Sequence, residues 1–336
     1  MKINNKNEFY GEWVQMMVTI GVCIPTYQRG NITKESIKHI YENNKVLFDA
    51  GICHFYISDD CSKDDTFSIL SNLNKEINCI TIQKTECNLG FEGNNGRCIQ
   101  MCEKDYAWLL GDDDTINVSI IELIEVLGNQ EFFPDFIIIG KNRSIKEKIY
   151  DKKEEAIITL LYESTWMSGL LFKSTVIRQL NFTRYAEGKF PHAGAIFEYF
   201  GNNKSSIQYI YGPNWSSILR PGKVSYNGRI LEVYARGWTN LVMGLPLCWD
   251  YQLKLKLLHM RGERGRDMLS NLILLSLRSQ GQLDILKLKE YYPYIKLYNC
   301  SPYFVLYLIS IMPKKPLKFL RKCYAKINGI VLMEQG

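Results

Sequence analysis

Three aspartates in a row, Asp112, Asp113 and Asp114, close the apolar stretch YAWLLGDDDTI. At pH 7 they repel one another, so the fold must set positive charge against them. Asp59 and Asp60 end a second apolar stretch, ICHFYISDD. Pro25, Thr26 and Tyr27 end a third, VTIGVCIPTY, with Arg29 just beyond. Carboxylate oxygens in this number suit a hard divalent cation, Mn2+ or Mg2+, which would bridge them to a polyanion such as a diphosphate. Singly, aspartates at strand-to-helix junctions cap helices, and Asp64, Asp65 or Asn117 can be read that way.

The elements that must position these groups follow from apolar periodicity. VTIGVCIPTY, ICHFYISDD, NCITIQKT, YAWLLGDDD and DFIIIGK read as strands. Helical patterns separate them. In NITKESIKHIYENNKVLFDAG, Ile37, Ile40, Tyr41, Leu47 and Phe48 share a face, and Gly51 is a stop. TFSILSNLN, GNNGRCIQMCEK and VSIIELIEVL are further helices. Strands apolar on both faces, alternating with helices, imply a parallel sheet covered on both sides. Such sheets bind ligands at the carboxyl ends of their strands, which is where all these polar groups fall.

Composition fits this picture. The 336 residues are 46% hydrophobic and 23% charged, which excludes wholesale disorder. A net charge of +6 suits an anionic ligand or a membrane face, and no nucleic-acid partner is expected. The N-terminal MKINNKNEFYGEW lacks the apolar centre of a signal peptide, and the ten scattered cysteines form no CxxC pair. The expectation is a cytoplasmic protein with reduced thiols. No apolar run reaches the length needed to span a bilayer; YFVLYLISIM is the nearest.

VTIGVCIPTYQRG, YISDDCSKDDT and NLGFEGNNGRCIQMCEKDYAWLLGDDD, in this order and spacing, resemble the nucleotide-sugar half of family 2 glycosyltransferases of the GT-A fold, over about residues 18 to 215. LLGDDD, TWMSGLLFKS and KFPHAGAIFEYFG more closely resemble the abequosyltransferase-like branch, bacterial enzymes of O-antigen and capsule synthesis. The resemblance implies an α/β fold with a mostly parallel, Rossmann-like central sheet flanked by helices. It implies an inverting, metal-dependent hexosyl- or deoxyhexosyltransferase that takes its sugar from a nucleoside-diphosphate sugar. The glycan acceptor would be linked to a polyprenyl diphosphate. By the same resemblance Pro25, Thr26 and Tyr27 line the nucleoside pocket, and Arg29 lies near the phosphates. Asp60 accepts a hydrogen bond from the base and Asp59 supports it. Asp112 and Asp114 bind metal, Asp114 directly, while Asp113 meets the ribose or sugar. Asn88, Gly90 and Asn95 belong to the loop that closes over the donor. Two departures stand out: Asn94 replaces the commonest Arg, and Cys61 replaces the usual Gly.

Inversion requires a base for the acceptor hydroxyl. EGKFPHAGAIFEYFG supplies His192, beside a Pro191 suited to a first helical turn, with Glu187 and Glu198 as acidic alternatives. STWMSGLLFKS reads as a strand whose Trp166 and Ser168 share a face that could meet the acceptor. Residues 1–17 form an N-terminal extension, 18–224 the catalytic domain (18–141 for the donor, 142–224 for the acceptor) and 225–336 a helical C-terminal region. In that region SPYFVLYLISIMPKKPLKFLRKCYAK joins an apolar stretch to Lys314, Lys315, Lys318, Arg321, Lys322 and Lys326, which fits an anionic membrane surface. The expected location is therefore peripheral, on the inner face of the bacterial plasma membrane. A packed helix with a solvated basic face is the alternative. A nucleotidyltransferase would carry a Gly-rich loop and a Lys after the first strand, and a dinucleotide-dependent oxidoreductase a GxGxxG turn there; this chain has neither. A non-catalytic nucleotide-sugar-binding relative and a sugar nucleotidyltransferase are the alternatives.

Overall fold

The computed structural model describes residues 18–117, 120–128, 133–212, 216–218, 228–258 and 269–327. The N-terminal extension expected at 1–17 lies outside the described residues. β1 (Ile20–Thr26), β2 (Cys53–Asp59), β3 (Ile80–Lys84) and β4 (Tyr106–Leu109) pair in parallel in the order β3-β2-β1-β4. β1 is buried along its whole length, as expected of a strand with a neighbour on each side and helices on both faces.

The connections are the expected helices. The first, Gly30–Asn43, buries Ile37 and Ile40. It breaks at Asn44, whose side chain accepts from the Ile120 amide and donates to the Ile40 carbonyl. The chain resumes as Lys45–Asp49 and turns at Gly51, with φ +72°. Thr66–Glu76, Gly90–Gln100 and Ile120–Gly128 follow.

The fourth strand is shorter than expected. It ends at Leu109, a turn closes with the Asp114 amide on the Gly111 carbonyl, and Asp114 opens β5 (Asp114–Ile116). β6 (Phe136–Gly140), β7 (Lys148–Tyr150), β8 (Leu170–Lys173) and β9 (Ile207–Tyr211) extend the sheet to β3-β2-β1-β4-β8-β6-β9-β7. β8 runs antiparallel between β4 and β6. β10 (Ser216–Ile218) pairs with β5 in a separate antiparallel ribbon.

The expected strand across STWMSGLLFKS is corrected: only Leu170–Lys173 is extended. Glu163–Thr165 and Met167–Gly169 are single 3-10 turns. Hydroxyls account for the first, because Ser164 donates to the Leu161 carbonyl and Thr165 to the Tyr162 carbonyl, three residues back in each case. Trp166 and Ser168 therefore do not share a strand face.

The chain divides into two compact units, Met1–Arg184 with Pro191–Leu219, and Tyr185–Phe190 with Arg220–Gly336. The second is helical. Trp238–Gly244, Tyr251–Leu258, Asn271–Ser279, Ile285–Tyr298, Tyr303–Ile311 and Lys314–Ile327 gather around Trp238, Leu241, Leu274, Leu288, Ile295 and Leu306. The Asp284 side chain caps Ile285–Tyr298 by accepting from the Lys287 amide.

Gly169 marks the tightest approach near the entry to β8. A Cβ there would lie 2.3 Å from the Ile139 carbonyl oxygen and 2.9 Å from the Trp166 ring. Gly169→Ala is expected to push β6 and β8 apart and cost about 1–3 kcal/mol, the range for overpacking, read as a lowered denaturation midpoint. An unchanged midpoint would show that this approach is not constrained.

Candidate active site at the carboxyl edge of the sheet

Strand register builds the site. Cys23 of β1 is level with Leu109 of β4, so three residues further on Thr26 meets Asp112. The Thr26 hydroxyl donates to Asp112 Oδ2 at 3.0 Å and also lies 3.0 Å from the Thr33 hydroxyl of the first helix. Arg29, at the head of that helix, sends one guanidinium nitrogen to Asp112 Oδ1 at 2.8 Å and Asp113 Oδ2 at 3.2 Å. Asp114 turns the other way: its carboxylate accepts from the Ser168 hydroxyl, and its backbone carbonyl from Ser36. The Gly111 amide in turn donates to Ser168 Oγ at 3.0 Å. Asp112 and Asp113 thus share Arg29, while Asp114 is bonded apart from them to Ser168.

Burial still costs the charged forms. It raises the Asp112 pKa, against the pull of Arg29. It lifts the Asp114 pKa to about 6, opposed by the Ser168 hydrogen bond and, more weakly, by Lys141. Lys141 directly follows β6 and its ammonium lies 4.0 Å over the Trp166 ring. Lys141 was not among the sequence candidates. The rule that polar residues follow strands, applied to β1, β2 and β4, finds it when applied to DFIIIGK.

The second acid pair organises the donor loop. Asp60 Oδ1 accepts from the Leu89 amide at 2.6 Å, its backbone carbonyl from Asn88, and Asn88 Oδ1 from the Gly90 amide at 3.0 Å. Gly90 takes φ +74°, which glycine adopts without steric cost. Asp59 is fully buried. Its Oδ1 accepts from Ser62, while Oδ2 has no hydrogen-bond partner among the described residues and lies 3.9 Å from the Lys84 ammonium. Cys61 adopts φ 58°, the conformation for which glycine is preferred, so the turn survives the replacement. Asn94, standing where the resemblance leads one to expect Arg, is buried and ties the ends of β1 and β2 through the Thr26 and Ser58 carbonyls. Asn95 is also buried, against Met167 Sδ at 3.5 Å. Pro25 is buried at the end of β1, and Tyr27 beyond it is 40% exposed.

The acceptor-side candidates are placed differently from one another. The helix Pro191–Asn202 begins at Pro191, and His192 is fully buried within the unit. His192 Nε2 lies 3.1 Å from the Thr165 carbonyl, which can only accept, so Nε2 carries the hydrogen and Nδ1 is the basic nitrogen. Nδ1 has no partner among the described residues, and the Phe91 ring of the donor loop stands edge-on to the imidazole. Glu198 is ion-paired to Arg184. Glu187 is exposed and belongs to the second unit, where its carbonyl accepts from Asn240. Ser168 is buried and its hydroxyl is committed to Asp114 and Gly111. Trp166 is half-buried beneath Lys141.

The sequence pattern of glycosyl transferase family 2 matches residues 21–208, the span that holds every one of these groups. The chain belongs to glycosyl transferase family 2. It is similar to the abequosyltransferase RfbV of Salmonella typhimurium, with 29% identity over 107 residues, 32% of this chain and 31% of that protein. The chain thus matches less than a third of that relative's length. Among solved structures, the mannosyltransferase PcManGT from Pyrobaculum calidifontis, in complex with GDP-Man and Mn2+, superposes with a TM-score of 0.51 at 12% identity, covering 91% of this chain and 87% of that one. S. aureus TarS 1–349 in complex with UDP-GlcNAc also gives 0.51, at 14% identity and 93% of each chain. At these identities the likeness is one of fold, and the mixed sheet with its helical extension is the GT-A architecture of the family.

For a divalent cation the donor set fits in one way. Among the described residues no group of three or more His, Cys, Asp or Glu side chains converges on a point. Asp112 is held by Arg29 and Thr26, and Asp113 is the most exposed of the three acids. A family 2 glycosyltransferase of this geometry would hold Mg2+ or Mn2+ through one or two carboxylates, with diphosphate oxygens and water completing the shell.

Burial lowers the His192 pKa from 6.5 to about 4. The unfolded chain therefore binds a proton at this site that the folded chain refuses. Stability is fully present above pH 6.5 and declines as pH falls towards 4, by about 3 kcal/mol at about 1.4 kcal/mol per unit. His192→Gln keeps a donor for Thr165 and is expected to flatten denaturation midpoints across that window. A slope equal to the parent's would mean that His192 titrates normally in the folded chain.

Proposed function

We propose that this glycosyltransferase moves a hexosyl or deoxyhexosyl group from a nucleoside-diphosphate sugar to a hydroxyl of a bacterial surface-polysaccharide acceptor, with inversion and with the help of Mn2+ or Mg2+. The observation that carries the reading is the convergence of Asp112–Asp114, Arg29, Lys141 and the Asp60-anchored loop at one edge of the sheet. The local match to an abequosyltransferase supports a deoxysugar donor, and the resemblance of LLGDDD, TWMSGLLFKS and KFPHAGAIFEYFG supports an O-antigen-type acceptor carried on a polyprenyl diphosphate. A GT-A relative seen with GDP-Man and Mn2+ supports the cation.

In this reading Pro25, Thr26 and Tyr27 bound the nucleoside, and Asp60 accepts from the base through the carboxylate that also holds the Leu89 amide. Asp59 braces that turn from beneath through Ser62. Asn88, Gly90 and Asn95 shape the loop beside the donor, Asp113 meets ribose or sugar, and Asp114 with Asp112 holds the cation. When bound, the cation would stabilise the charge that grows on the leaving diphosphate. Arg29 and Lys141 bring fixed positive charge to the same leaving group. As the acceptor oxygen bonds to the anomeric carbon and the sugar–phosphate bond breaks, the acceptor proton passes to a base on the opposite face. We assign that role to His192, whose Nδ1 has no partner among the described residues, with Glu198, which Arg184 holds through one carboxylate oxygen only, and Glu187 as the acidic alternatives. Trp166 is placed on the acceptor side, with Ser168 positioning Asp114.

Two measurements test this. Thermal shift with nucleoside diphosphates is expected to require Mn2+ or Mg2+ in the parent, and this metal-dependent shift is expected to be lost in Asp114→Ala. Equal shifts with and without EDTA, in both proteins, would remove the cation from the reading. His192→Gln is expected to lower kcat about a hundredfold or more, the general-base range, with nucleotide binding unchanged. Undiminished turnover would move the base to Glu187 or Glu198.

A further inference from the structure

The helix Tyr303–Ile311 turns Leu306, Ile309 and Ser310 inward. Tyr303, Phe304, Tyr307, Leu308 and Ile311 remain exposed, at the i, i+1, i+4, i+5, i+8 spacing of a single helical stripe. Met312 continues the stripe into a turn held by Arg278, which donates to the Met312 carbonyl at 2.7 Å. The next helix, Lys314–Ile327, exposes Phe319 (68%) and Leu320 (60%) beside the exposed Lys314, Lys315 and Lys318. Both helices pack on Asn271–Ser279, so the patch is part of a built layer and not a frayed end.

Charge on this segment is of one sign. From Tyr291 to Met333 the sequence has no Asp or Glu, and it carries Lys296, Lys314, Lys315, Lys318, Arg321, Lys322 and Lys326. A nucleic acid would neutralise these charges and leave the apolar stripe in water. A protein partner would need a matching acidic and apolar face. The polar–apolar boundary of an anionic bilayer satisfies both demands at once. Phe and Leu side chains enter the acyl region, Tyr rings sit at headgroup depth, and the lysines meet anionic headgroups. Nine residues make a helix about 14 Å long against a hydrocarbon core of about 30 Å, so the segment can lie in the interface but not cross it. Among the described residues no helix is long and apolar enough to span a membrane.

We propose that the outer face of Tyr303–Ile311 and Lys314–Ile327 docks on an anionic lipid bilayer. The proposal rests on the second unit alone, and it stands or falls separately from the transfer reaction.

The experiment is flotation of the full-length protein with phosphatidylcholine vesicles, with and without phosphatidylglycerol, at two ionic strengths. The intact chain is expected to float with the anionic vesicles only. It should be released as salt rises from roughly 0.1 M to 1 M, which shortens the screening length from about 10 Å to about 3 Å. Lys314→Gln, Lys315→Gln and Lys318→Gln together should weaken partitioning by about a hundredfold, about fivefold per charge. Phe304→Ser, Leu308→Ser, Phe319→Ser and Leu320→Ser together should abolish it. Both variants alter exposed side chains, so their melting temperatures and nucleotide thermal shifts should match the parent's. Absent or salt-insensitive flotation of the intact chain, or equal flotation on neutral vesicles, would overturn the proposal. So would lipid-free self-association that the apolar substitutions abolish, because the stripe would then be a contact between copies of the chain.

Discussion

The guanidinium of Arg29 between Asp112 and Asp113 is the contact on which the donor edge depends. It connects the loop after β4 to the head of the helix after β1, so its geometry is set by two adjacent strands and their register. Three neighbouring carboxylates become tolerable because each has a partner: Arg29 shared by Asp112 and Asp113, Thr26 for Asp112 as well, and Ser168 for Asp114. Arg29 was expected near phosphate, and its contacts here show it already neutralising the acids beside which a phosphate would bind.

The donor half was largely legible in the sequence because its signals are local. A strand such as IGVCIPT announces itself by β-branched runs, and the polar groups at its carboxyl end follow it directly in the chain. The turn after β2 could be read even with Cys61 in place of glycine, since the backbone adopts the left-handed conformation regardless. Ser168 marks where such reading stops. It looked like an acceptor residue on a strand, whereas its hydroxyl serves an aspartate 54 positions earlier in the chain. No periodicity encodes a contact of that range. The 3-10 turn at Glu163–Thr165 was hidden for a related reason, because the Ser164 and Thr165 hydroxyls compete for the backbone where the apolar pattern reads as extended.

His192 shows the same limit in electrostatic form. Its neighbours in sequence, Pro191 and Ala193, say nothing about the Thr165 carbonyl that fixes its tautomer or the burial that depresses its pKa. Lys141 was legible but overlooked. Its position after β6 obeys the rule that revealed the acids, and only its sign differs.

The antiparallel insertion of β8 between β4 and β6 carries a consequence for biosynthesis. While the chain emerges from the ribosome, β1 to β4 can assemble in order, but β4 keeps an unpaired edge until residues 170–173 have been made. An open edge of buried, apolar residues invites pairing with another nascent chain. Translation pauses or truncations between β4 and β8 would therefore yield aggregation-prone fragments in place of a free-standing nucleotide-binding half. Residues 18–141 and 142–212 contribute strands to one sheet, so the first four strands do not close without the later ones.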